Sequence, residues 1–120
     1  MRCARTLWTV LTGVVFCIGW LALPAWSQES GKDLFLKHKC NRCHSIQAEG
    51  IEATSERMKK KTPDLSNVGN QVESAEWIVK WVKREIERDG KKHRGKFKGT
   101  DEELHTIAQW LMTLKHGDNP

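Results

Sequence analysis

The chain has 120 residues, 20 Lys and Arg against 15 Asp and Glu for a formal charge of +5, four Cys, and only 38% apolar residues. That length fits one domain and argues against a multidomain enzyme. The apolar share is thin for a self-sufficient core, so a disulfide, a metal or a cofactor is expected to complete it.

The first 27 residues carry much of that apolar share. Arg2 and Arg5 precede an apolar run to Leu23, and Pro24 leads into Ala25-Trp26-Ser27, with small residues where a signal peptidase cuts. Residues 1–27 therefore read as a signal peptide, with residues 28–120 as the mature domain. The alternative is an uncleaved membrane anchor, because Thr6 to Leu23 approaches the shortest helix that spans a bilayer. Either reading predicts export, to the periplasm of a bacterium or an equivalent compartment. Cys17 follows bulky Phe16 and Cys3 precedes the apolar run, which argues against a lipoprotein. Without residues 1–27 the chain keeps 93 residues, a charge of +3 and two cysteines, Cys40 and Cys43.

Helical signals dominate the remainder. Ser30-Gly-Lys-Asp33 resembles a capping box and opens a first helix that carries Leu34 and Phe35 and runs into Cys40. Ser45 to Lys61 lacks apolar periodicity and reads as a loop with at most a short helical turn. Thr62-Pro63-Asp64-Leu65 is turn chemistry, since Pro63 drives Thr62 out of the helical region. Ser74 starts another helix, with Trp77, Ile78, Trp81, Val82 and Ile86 as its apolar stripe and Gly90 as a left-handed cap. A basic loop, Lys91 to Gly99, follows. Thr100-Asp-Glu-Glu103 is a capping box for the last helix, whose apolar face is Leu104, Ile107, Ala108, Leu111 and Leu114, with Trp110 beside it. No segment alternates as a strand should. The fold class predicted is all-α with two substantial loops.

Chemistry concentrates in Cys40-Asn-Arg-Cys43-His44, a CxxCH. Two thiols three residues apart lie on one side of a helical turn, where they can meet the two vinyl groups along one haem edge. The adjacent His44 can then ligate the iron. A thiol-exchange disulfide would need a βαβ setting, which is not visible. A structural zinc site would need further ligands, and only scattered His are available.

The mature chain resembles the monohaem class I c-type cytochromes over essentially its whole length. Gly31, Phe35 and the CxxCH are similar to that family's N-terminal element; Ile107, Trp110 and Leu111 are similar to its C-terminal one. The resemblance implies a small cytochrome c-like helical domain wrapped around one covalently bound haem c, with crossing N- and C-terminal helices. It implies Cys40 and Cys43 as haem anchors, His44 as axial ligand, and the Pro63 carbonyl as acceptor for the other ring N–H of His44. Family members usually bring Met to the far side of the iron, in the loop before the last helix. Here that loop has no Met but holds His93, seventeen residues before Trp110, a spacing similar to the family's. His93 is the expected sixth ligand, with Met58 as the alternative. His38, His105 and His116 read as exposed.

The implied function is one-electron transfer, not enzymatic catalysis. The expected partners are redox proteins, with acidic docking surfaces matched to the basic loop. Nucleic acid is not expected, since the chain is exported and has no recognition motif. A membrane is expected only through an uncleaved anchor or a larger complex, and the domain itself reads as a monomer. An open or labile sixth position, for gas sensing or peroxide chemistry, is the second reading. Membership of a membrane-bound redox complex is the third.

Overall fold

A computed structural model describes residues 27–117; the leader expected in residues 1–27 therefore falls almost wholly outside the described residues. Five α-helices are present among the described residues: α1 (Gly31–Lys37), α2 (Glu56–Lys59), α3 (Val68–Gln71), α4 (Ala75–Val82) and α5 (Asp101–Met112). Single 3₁₀ turns lie at Cys40–Arg42 and Gln47–Glu49. Extended pairing among the described residues is confined to the isolated bridges Ile46–Ile51 and Arg88–Lys91. The all-α expectation holds.

The three longer helices start where the sequence signals them. The Ser30 hydroxyl accepts the Asp33 N–H at 3.1 Å, and the Ser74 hydroxyl accepts the Trp77 N–H at 3.1 Å. Thr100 and Glu103 close a complete capping box, in which the Thr100 hydroxyl accepts the Glu103 N–H and the Glu103 carboxylate accepts the Thr100 N–H. All five apolar residues expected on the last helix's inner face are buried: Leu104, Ile107, Ala108, Leu111 and Leu114.

These residues pack against α1. Leu34 and Phe35 are buried, and the rings of Phe35 and Trp110 meet edge to face with centroids 5.7 Å apart. The crossing is close because Gly31 has no side chain. A Cβ there would overlap the Trp110 Cβ and stand 2.8 Å from the Thr106 carbonyl oxygen. Ile78 and Val79 of α4 fill the other flank, and Ile46, Ile51 and Val68 join the same core.

Two helix ends differ from expectation. The first helix does not reach Cys40: α1 stops at Lys37, and Lys39 adopts left-handed backbone at φ 56° before the Cys40 turn begins. The Ser74 helix ends at Val82, not near Gly90. Its terminus is a Schellman arrangement in which the Arg84 N–H reaches the Trp81 carbonyl and the Glu85 N–H reaches the Lys80 carbonyl. The left-handed position is filled by Arg84 (φ 65°), a residue whose Cβ is disfavoured there, so composition gave no cue to the stop. Ile86 consequently lies beyond the helix. Gly90 is left-handed, but with Asp89 it forms the tight turn that pairs Arg88 with Lys91.

Opposite effects are expected at two backbone positions. Gly31→Ala should destabilise the domain by about 1–3 kcal/mol by forcing α1 and α5 apart. Arg84→Gly should stabilise it by about 1 kcal/mol by removing the left-handed Cβ clash. Chemical denaturation of both variants checks the signs.

Candidate haem site

The break at Lys39 frees the chain to tighten. From Cys40 to Arg42 the backbone is 3₁₀, with the Cys43 and His44 N–H groups both pointing to the Cys40 carbonyl, at 3.3 and 3.1 Å. Three residues per turn bring positions i and i+3 onto one side, so Cys40 and Cys43 share a face and His44 follows directly. Both cysteines are half-buried and unpaired. Burial pushes the Cys40 thiol up to about 11. A thiol-exchange nucleophile needs the reverse, a lowered value, so the site does not suit disulfide chemistry.

Asp64 anchors the loop beyond the motif. Its carboxylate accepts the Ser45 hydroxyl at 2.8 Å, the Gln47 N–H at 3.0 Å and the Ser66 N–H at 2.8 Å. The Leu65 N–H donates to the Ser45 carbonyl at 2.9 Å. Together these bonds hold the Pro63 turn beside His44, whose Nδ1 lies 3.4 Å from the Pro63 carbonyl oxygen. Burial, the largest influence, holds the His44 ring below the ordinary histidine range; the Pro63 carbonyl opposes it and His93 adds to it. His44 is therefore neutral near pH 7.

Across from His44 is His93. Their ring centroids are 6.2 Å apart and their planes differ by 12°. His93 Nδ1 is 2.8 Å from the Gly95 carbonyl oxygen. A carbonyl can only accept, so in both residues Nδ1 carries the hydrogen, the tautomer in which a neutral ring keeps its lone pair on Nε2. Neither Nε2 has a hydrogen bond within the site. Two metal–imidazole bonds of about 2 Å, plus the ring radius on each side, span about 6 Å. The pair is thus spaced, and its Nδ1 atoms are engaged, as in two ligands of one metal ion.

Of the sequence-derived residues, the fold brings Cys40, Cys43, His44, Pro63 and His93 together. Met58 sits half-buried on the short α2. His38 is engaged elsewhere, 3.1 Å from Glu103 and against the Phe97 ring, so it is half-buried and not exposed as expected. His105 also is only partly exposed, with a Glu76 carboxylate oxygen 4.0 Å away. Sequence reasoning passed over two positions. Asp64 is one, although Asp within a Pro turn and two residues before Ser66 is an Asx-turn signal. Trp81 is the other; it touches His93 from α4, while the Gly95 carbonyl meets His93 from its own loop.

The Cytochrome c family matches residues 28–115. The chain belongs to the cytochrome c family. Its prosthetic group is therefore haem c, covalently attached and carrying iron. No curated protein and no solved structure matched the chain. The donor set suits that group: paired thiols on one turn, an adjacent neutral imidazole, and a second imidazole facing it. A buried core of modest size agrees, since a porphyrin would add apolar surface next to these residues.

The Asp64 hydrogen bonds lead to a pH-dependent effect. Burial pushes this carboxyl up, but the donors from Ser66, Gln47 and Ser45 outweigh it and hold it below the usual carboxylate range. The stability it adds is complete above about pH 4 and is lost as pH falls through the lowered value. Asp64→Ala should cost about 1–2 kcal/mol at pH 7, and the gap from the parent should narrow by pH 3. Denaturant titrations at the two pH values measure this.

Proposed function

We propose that this cytochrome c is an exported one-electron carrier whose haem iron is held by His44 and His93. One observation carries the reading: two near-parallel imidazoles, 6.2 Å apart, each with Nδ1 turned to a backbone carbonyl and Nε2 left for metal. Cys40 and Cys43 hold the group covalently from the turn that also supplies His44. The iron, when bound, supplies a ferric–ferrous couple. The chain's own part would be to hold the iron through His44 and His93, exclude exogenous ligands and fix the surroundings that set the potential. Imidazole in place of the thioether common in the family lowers that potential, which suits a low-potential electron chain.

Docking electrostatics follow from the same loop. Lys91, Lys92, Arg94, Lys96 and Lys98 are all exposed, the stretch contains no acid, and none of the five forms an ion pair among the described residues. This field favours acidic redox partners and makes encounter sensitive to salt. Export rests on the leader-like residues 1–27, with the domain acting as a monomer at its partner's surface.

Three measurements test the proposal. The parent protein should give low-spin spectra and should not bind carbon monoxide when ferrous. His93→Ala should turn the iron high-spin or open to added imidazole; an unchanged spectrum would sink the assignment. Oxidation by ferricyanide, a small anion, should slow more steeply with ionic strength in the parent than in Lys92→Glu/Lys96→Glu. Equal salt slopes would remove the docking role of the loop.

A further inference from the structure

The hydrogen bond from His93 to Gly95 is not sufficient to fix the His93 ring. A carbonyl accepts over a broad range of angles, and Gly95 lies in an exposed, glycine-punctuated loop. A second contact comes from a rigid element. Trp81, at the end of α4, meets the His93 ring at 77° with centroids 5.9 Å apart. Trp81 is itself held: one helical turn earlier, Trp77 lies nearly parallel to it, at 5.8 Å and 16°. The Arg88 guanidinium carbon sits 5.9 Å from the Trp77 ring centroid. The carbonyl of Trp81 also accepts the Arg84 N–H that closes the helix, which ties its backbone down. Gly95 itself has no side chain to press on the ring: even a Cβ built there would stand 3.4 Å from His93 Cε1, so the bracing comes from Trp81.

We infer that Trp81 is a positioning residue: it sets the plane of the His93 imidazole and so keeps it nearly parallel to that of His44. The role rests on the His44/His93 ligation proposed above. An imidazole bound through one nitrogen can rotate about the metal–nitrogen axis, and the angle between two axial imidazole planes controls the splitting of the iron d orbitals. Near-parallel planes give ferric iron a well-resolved rhombic signal. Planes turned towards perpendicular give a more anisotropic signal with a larger maximum g value. Trp81, with Trp77 and Arg88 behind it, holds the first arrangement.

Electron paramagnetic resonance of the ferric, haem-loaded protein tests this. The parent should give a rhombic low-spin spectrum. Trp81→Leu keeps apolar bulk but removes the ring, and should shift the maximum g upward and broaden it while the absorption spectrum stays low-spin. Trp81→Phe should return the parent signal. Trp77→Leu, which leaves Trp81 in place without its support, should shift the signal the same way but less. A Trp81→Leu spectrum identical to the parent, or no recovery with Phe, overturns the role of Trp81. Near-infrared magnetic circular dichroism of the parent separates the two claims. A bis-imidazole band with an unresponsive Trp81→Leu removes Trp81 alone, whereas a thioether or high-spin band in the parent removes the ligation and Trp81 with it.

Discussion

The close approach of α1 and α5 is the contact on which the remaining geometry depends. Gly31 lets the backbone of α1 pass against Trp110 and Thr106, and Phe35 closes edge to face on the same Trp110. With that crossing fixed, the left-handed step at Lys39 sets the direction in which the Cys40 turn leaves the helix pair. A wider crossing would shift Cys40, Cys43 and His44 as a body, because the turn is hydrogen-bonded within itself and follows α1 after only two residues. Helix packing and haem attachment are therefore not separable in this domain.

The second half of the site is assembled from loops, and each loop is disciplined by hydrogen bonds from a few polar groups. Asp64 gathers donors from both sides of the Pro63 turn, so the carbonyl that faces His44 is part of a braced structure. The Arg88–Lys91 turn reverses the chain after α4 and leads it to His93 beside Trp81. Both histidines turn Nδ1 towards a main-chain carbonyl, which leaves Nε2 of each ring without a hydrogen bond among the described residues, as the proposed ligation requires.

Much of this was legible in the sequence because the signals were local. Ser30, Ser74 and Thr100 each cap a helix as read, and the 3.6-residue periodicity from Leu104 to Leu114 picks out the buried face. CxxCH is likewise a contiguous motif. The misreadings were non-local or conformational. Nothing in the residue type of Lys39 or Arg84 announces a positive φ, so α1 and α4 were drawn too long. Trp81 read as one more member of an apolar stripe; its contact with His93 depends on how the intervening turn folds back. His44 and His93 are both expected as ligands from the sequence, His93 by its spacing from Trp110; that their rings lie nearly parallel, 6.2 Å apart, is visible only in three dimensions.

The central claim is that iron in this protein has two imidazole ligands and no sulfur. Extended X-ray absorption at the iron edge of the intact, haem-loaded ferric protein reads this directly. The account predicts six nitrogen neighbours, with multiple-scattering features from two imidazole rings. A sulfur neighbour, or only five ligands in the first shell, would contradict it.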